Sequence, residues 1–495
     1  MAEFHLPSTP IEEFTLANGL RVVLSPDRAI PVVSVAVYYD VGSRNEKEGR
    51  TGFAHLFEHM MFQGSENVPK AAHFQYIFNA GGTMNGTTST ERTNYFQTLP
   101  SNYLPLAFWL ESDRMRSLKV TQENLDNQRH AVQEEKRLRY DNQPYVTAFL
   151  RMNELIFVNP ANAHSTIGSM EDLDAATIDD VKEFFRIYYA PNNAVITVVG
   201  DFDNDEARAL VEKYFGNIPA QPVPPPVDVS EPEAVAIREE TFHDPLAPAP
   251  AFVLGWKIPV RRTPDFYALS LAGTLLFEGD SSRLYQKLVK GDESVVSIEG
   301  GVDERRGPSA LYIFALPKPG EDVSKIREQI FNEIRRIATD GPTEAEMEKL
   351  RNSLCNDAVR GRQSTMYRAH RLAEFALYDS DPHLVDSELD QYLAVTADDI
   401  KNATARHMNV DNRVVLDIIP APAAVAGEVA APASPQPPGD PHQPAAPPAQ
   451  VPDLPAPEPE SPVHADVVHT STSDKPQDPA DVPPQTKPGT GPLHP

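Results

Sequence analysis

Hydrophobic residues along this chain fall into two alternating spacings. Alternation such as Val33, Val35 and Val37 marks a strand, and the apolar runs Leu20 to Leu24, Val32 to Tyr39 and Ala251 to Trp256 read the same way. Helical periodicity marks Thr177 to Tyr188, Phe266 to Leu276 and Val323 to Ile337. Two more strands follow turns, at Asn193 to Val199 and Arg413 to Ile419. Each half therefore opens on strands, continues through helices and closes on a strand. The expected fold class is α+β, with two homologous domains, each an antiparallel-rich sheet with helices packed on one side.

Proline interrupts this pattern twice. The stretch Ile218-Pro219-Ala220-Gln221-Pro222-Val223-Pro224-Pro225-Pro226 reads as a linker, giving domains over 1–218 and 236–419 with a Pro-rich connection over 219–235. From Pro420 onward there is no Phe, Tyr, Trp, Cys or Arg, and 22 of the 48 prolines lie in these last 76 residues. Such a segment cannot bury enough apolar surface to offset its ordering entropy, so 420–495 is expected to be a disordered Pro/Ala-rich acidic tail. It is either a solubilising tail or a tether or ligand for a proline-binding module.

Charge narrows the partners. The 44 basic and 71 acidic side chains give −27, of which the tail supplies nine acids and two lysines, or −7, leaving −20 on the body. This argues against nucleic acid and against an anionic membrane surface, and favours cationic peptides if the acids line a binding chamber. The one cysteine, Cys355, excludes an internal disulfide framework and is expected to be a small buried residue on a helix. No run approaches a membrane span, and Met1-Ala2-Glu3-Phe4-His5 lacks the basic and then apolar character of a signal peptide, so a cytoplasmic location is expected.

The chemistry concentrates in Gly52-Phe53-Ala54-His55-Leu56-Phe57-Glu58-His59-Met60-Met61-Phe62. On a helix, His55 and His59 stand about one turn apart on one face, with Glu58 close to that face. Two imidazoles so placed can share one metal ion, and Glu58 is then free to take a proton from a metal-activated water. The order is inverted relative to His-Glu-x-x-His, an arrangement also found among zinc hydrolases. The plainer alternative is an amphipathic core helix, which the neighbours Phe53, Leu56, Phe57, Met60, Met61 and Phe62 also fit.

Catalytic zinc usually takes a third protein ligand. Asn124 to Arg139 reads as a helix with a broken apolar stripe of Leu125, Ala131, Val132 and Leu138, and Glu135 stands on that side. Glu134 points about 100° away. The packed side favours Glu135, but a solvated acidic pair answering Lys136 and Arg137 fits the spacing equally well.

The stretch from Tyr39-Asp40-Val41-Gly42-Ser43-Arg44 through Phe62-Gln63-Gly64-Ser65 resembles the pitrilysin (insulinase-like) family of zinc metallopeptidases. Gly81-Gly82-Thr83-Met84-Asn85-Gly86-Thr87-Thr88-Ser89 and Tyr189-Ala190-Pro191-Asn192-Asn193-Ala194-Val195 to Gly200-Asp201 match as well. The likeness is dense over 11–220 and looser over 236–420, in the manner of the half-length, processing-peptidase-like subunits. It implies the same domain pair, with the metal in the first alone. The family's third ligand is a glutamate about 76 residues past the second histidine, and Glu135 lies 76 past His59. The resemblance thus implies Zn2+ held by His55, His59 and Glu135, with Glu58 as general base.

Thr83 to Thr88 suits an exposed edge strand that pairs with an extended peptide, with Asn85, Gly86 and Thr87 as substrate-binding residues. Asn85 would hold a substrate carbonyl; the alternative is a turn residue beside Gly86. Gln128 stands where many members carry a second glutamate, a change expected to weaken support of the metal, and Gly86 where alanine is usual, expected to loosen the substrate strand. Family enzymes also place an Arg and a Tyr seven residues apart in a later domain; the matching positions here are Val289 and Val296. Neither offers a donor to a developing oxyanion. The expected assembly is therefore a heterodimer with a homologous subunit that supplies the pair, a homodimer being the other option. The expected function is zinc-dependent endopeptidase; the alternative is a non-catalytic peptide-binding or structural subunit of a peptidase-like complex.

Overall fold

The computed structural model describes residues 6–233 and 237–421, so Met1 to His5 and the tail expected over 420–495 lie outside the described residues except for Pro420 and Ala421. The first sheet comprises β1 (Glu12–Thr15), β2 (Arg21–Pro26), β3 (Val32–Tyr39), β4 (Thr83–Thr88), β5 (Thr93–Pro100) and β6 (Ala194–Gly200), in the spatial order β1-β2-β6-β3-β5-β4. The second comprises β7 (Arg238–Asp244), β8 (Ala251–Ile258), β9 (Val295–Asp303), β10 (Ser309–Pro317) and β11 (Val414–Pro420), in the order β7-β11-β8-β10-β9. With β1 set aside, the two orders correspond strand for strand. Each has one parallel pair, β2 with β6 and β7 with β11, and antiparallel pairs elsewhere. The duplicated α+β plan is thus realised in full.

Each half packs its own helices on one face of its sheet. In the first, Phe53–Met60, Leu104–Ser117, Ile178–Tyr188 and Asn204–Phe215 bury their apolar faces with Val33, Val35 and Val37. In the second, Pro264–Phe277, Val323–Asp340 and Ala397–His407 do the same. The other face of each sheet is covered by a helix lent from the opposite half. Thr365–Tyr378 lays Ala369, Leu372, Ala373 and Ala376 on Ala36, Tyr38, Val195 and Val199. Reciprocally, Val146–Ile156 lays Ala148, Met152 and Ile156 on Val253, Val414 and Leu416. This exchange explains why β6 and β8 are buried along their whole length, beyond the one-sided burial that the alternation of Val33, Val35 and Val37 implies. Apolar burial at ~25 cal/mol per Å2 makes two such seams a substantial bond between the halves.

The proline-rich stretch after Ile218 carries no helix or strand up to residue 233, yet it is fastened at its end. Glu231 accepts from the amides of Val158 and Asn159 and from Asn162 Nδ2, and its carboxylate lies 3.5 Å from Lys257 Nζ. Cys355 sits on the helix Glu344–Arg362 but is half-buried, because that helix buries Met347 and Leu350 more deeply. Among the described residues no helix is long and apolar enough to cross a membrane.

Candidate active site

The helix Phe53–Met60 turns Phe53, Ala54, Leu56, Phe57 and Met60 into the core, which leaves His55, Glu58 and His59 on its remaining face. Its start is fixed by two devices. Gly52 adopts φ +84°, and a Cβ there would stand 2.7 Å from the carbonyl oxygen of Ile167, so only glycine fits the turn. No side chain at Gly52 can cap the helix; Glu46 does so from outside, accepting from the amides of Gly52 (2.9 Å) and Ala54 (2.7 Å). The Glu46 side chain is fully buried and its second contact is His164 Nε2 at 2.9 Å. Glu46→Ala leaves these buried groups without their acceptor. Its expected cost is about 2–3 kcal/mol, read as a lowered midpoint in urea unfolding; stability equal to the native chain would refute the capping role.

The third donor arrives on the helix Gln122–Lys136, started by Thr121, whose hydroxyl accepts from the amide of Asn124. Leu125, Val132 and Gln133 form its buried side, and Glu135 is partly covered beside them. Ala131 and Leu138, both expected on the packed stripe, are exposed. For Leu138 the reason is local: the helix widens to a π turn over Arg137–Asp141, which shifts the face that continues the stripe.

These elements bring His55, His59 and Glu135 together. One donor atom from each lies within 4.8 Å of the others. Glu135 Oε2 is 3.2 Å from His59 Nε2 and 3.6 Å from His55 Nε2, and the two imidazole rings are 4.8 Å apart. Burial, reinforced by His59, pushes His55 down to about 4, so its imidazole is neutral near pH 7. Burial opposes ionisation of Glu135, but the His59 hydrogen bond, both imidazoles and Arg139 (Nη1 3.1 Å away) hold its carboxyl down at about 2. A neutral imidazole and an ionised carboxylate are the forms a divalent cation binds. His59 is raised: burial opposes its charge, and the Glu135 hydrogen bond, Glu58 and a Gln128 hydrogen bond outweigh that. The donor set, two nitrogens and one carboxylate, fits zinc. No second such group occurs among the described residues.

Glu58 faces β4. Burial raises its carboxyl, against the hydrogen bond from Thr88 Oγ1 at 2.5 Å. Sequence reading did not single out Thr88 as a partner of Glu58. The available signal was strand alternation: Thr88 follows Gly86 by two on one face of β4. Removing the donor leaves burial less opposed, so in Thr88→Val the acid limb of the kcat/KM profile is expected to move to higher pH. An unmoved limb would contradict a base role for Glu58 held by Thr88.

β4 is an edge strand, paired with β5 alone. Gly86 lies against Glu58: a Cβ there would be 3.3 Å from Glu58 Cγ and 3.1 Å from the Tyr95 ring. Glycine at this position therefore gives Glu58 room, besides any looseness in the strand. By alternation Asn85 and Thr87 present their side chains to the opposite face. Asn85 Oδ1 accepts from the Gly86 amide at 2.9 Å, and Thr87 Oγ1 bonds Asn94 Oδ1 at 2.7 Å. In the second half, Val289 packs partly buried against the core, whereas Val296 on β9 is exposed.

Comparison with known proteins identifies the family. The profile described as Insulinase (Peptidase family M16) matches residues 21–160, and that described as Peptidase M16 inactive domain matches residues 175–354. A zinc protease, PqqE, of Helicobacter pylori is 30% identical over 404 residues, covering 81% of this chain and 90% of the relative. An uncharacterized zinc protease of Mycobacterium tuberculosis is 28% identical over 403 residues, covering 80% and 90%. The crystal structure of a protease from Helicobacter pylori superimposes with a TM-score of 0.80 at 26% identity, covering 83% of this chain and all of that one. With two matched domains and relatives aligned along most of their length, the chain belongs to the insulinase family of peptidases, family M16.

Proposed function

We propose that this protein is a zinc-dependent endopeptidase whose first half, residues 1–218, holds the metal through His55, His59 and Glu135. One observation carries the reading: three donors of the right chemistry converge within 4.8 Å while Glu58, beside them, keeps its carboxylate off the cluster and on Thr88. Zinc bound there would polarise a scissile carbonyl and acidify a water. Glu58 accepts the proton as the water attacks and delivers it to the departing amine. Thr88 keeps the accepting oxygen in place. The free edge of β4 pairs with an extended peptide, Gly86 allowing the backbone close to Glu58, with Asn85 and Thr87 bordering the strand. The −20 charge of the body favours cationic peptides.

Because Val289 and Val296 carry no donors, a homologous partner subunit is the proposed source of the Arg/Tyr pair, in a heterodimer or, failing that, a homodimer. The test uses an internally quenched peptide with products mapped by mass spectrometry. Internal cleavage should vanish with 1,10-phenanthroline, return on adding zinc, and rise when the partner co-purified from cells is present. Cleavage by rigorously zinc-free protein would overturn the metal role, and full activity of the chain as a monomer would overturn the partner.

A further inference from the structure

We propose that Arg306, carried by the second half, is a positioning residue for the catalytic base in the first; the inference rests on the peptidase reading above. Arg306 lies in the connection between β9 and β10 and reaches across to the hairpin that joins β4 to β5. There it grips Glu91 three times. Its backbone amide donates to Glu91 Oε1 (3.2 Å), its Nε to Oε2 (2.8 Å), and its Nη2 to the Glu91 carbonyl (3.0 Å). The same guanidinium donates to both oxygens of Asp40, at 2.5 and 3.3 Å, and lies 4.5 Å from the centre of the Tyr378 ring. Arg44 completes the cluster from the first half, with Nη1 2.5 Å from Glu91 Oε2 and Nη2 2.9 Å from Asp40 Oδ1. Glu91 is 5% exposed, and both guanidiniums reach its carboxylate.

The grip reaches the chemistry through a short, stiff path. Ser89 and Arg92 close the hairpin (2.8 Å), and it is tied to the preceding loop by Ser43 N to Ser89 O (3.1 Å) and Arg44 N to Thr90 O (3.2 Å). Thr88 stands three residues before Glu91 and donates to Glu58. Fixing Glu91 fixes where the Thr88 hydroxyl stands, and hence the orientation of the base. A planar fork that binds a carboxylate, a carbonyl and a second carboxylate at once is what Arg supplies and Lys cannot. The half without metal donors thus has a task in the reaction: it holds the hairpin on which the base rests.

The experiment uses the full chain, with Arg306→Met, Arg306→Lys, Thr88→Val and the double variant Arg306→Met/Thr88→Val. Two readouts are taken: amide hydrogen exchange without substrate, and kcat and KM on an internally quenched peptide at matched zinc content. Arg306→Met is expected to raise exchange over 88–92 about tenfold or more with no change over Phe53–Met60. Its kcat should fall about tenfold with KM within about twofold, since misplacement of a catalytic group weakens turnover more than binding. In the Thr88→Val background the same substitution should add less than about twofold, because the path is already cut. Arg306→Lys should show smaller changes in the same direction, and it decides the matter alone if Arg306→Met does not fold. Native exchange in the hairpin, a loss carried by KM, or an undiminished loss in the Thr88→Val background would each overturn the proposal. If the native chain itself shows no zinc-dependent cleavage, the peptidase reading fails, and the exchange readout still decides the clamp.

Discussion

Glu58→Gln should bind zinc like the native chain and lose about a thousandfold in kcat, within the range that general acid–base catalysis contributes. The amide keeps the shape of the side chain and can still meet Thr88 Oγ1, 2.5 Å from Glu58 Oε2, so neither fold nor ligand set is disturbed. What disappears is the only function asked of that oxygen, receiving a proton and returning it. The two measurements are zinc content by mass spectrometry and turnover of a quenched peptide. Unchanged turnover with zinc retained would assign the base elsewhere.

The second large effect concerns the two neighbouring acids of the helix Gln122–Lys136. Glu135→Ala should weaken zinc binding by more than about a hundredfold, since loss of a mere supporting partner of a metal ligand already costs 10–100-fold. It removes the carboxylate that lies 3.2 Å from His59 Nε2 and leaves two imidazoles to hold the ion. Glu134→Ala should change zinc affinity by less than about twofold, within the range of an ordinary surface substitution. Glu134 is exposed and engages Arg137, one turn along its own helix. Competition with a zinc chelator of known affinity separates the two variants. Equal behaviour of the pair would mean that the cluster, however close its donors, is not the ion's resting place.

Much of this was legible in the sequence because it is local. His55, Glu58 and His59 announce themselves within five residues, and β3 and β4 have the bounds that their apolar or β-branched runs suggest. Glu135 needed more than spacing, since Glu134 fits a helix surface as well; the family likeness chose between them and the geometry places Glu135 beside both histidines. The reading failed where the decisive contact is distant. Nothing near Leu138 signals that a π turn follows Glu135 and carries that leucine into solvent. Glu46 looks like one more surface acid until the segment containing His164 closes over it. The exchanged helices Val146–Ile156 and Thr365–Tyr378 are ordinary amphipathic segments whose partner sheets lie in the other half of the chain. Arg306 is one of two adjacent arginines in a loop, and its role follows from the meeting of the two halves.

The most direct test of the central claim is anomalous diffraction at the zinc edge from crystals of the zinc-loaded full chain. The account predicts one strong peak within about 2.0–2.2 Å of His55 Nε2, His59 Nε2 and a Glu135 carboxylate oxygen, the distances zinc keeps to such ligands. Zinc held at another place, or held by the two imidazoles with the Glu135 carboxylate out of bonding range, would contradict it.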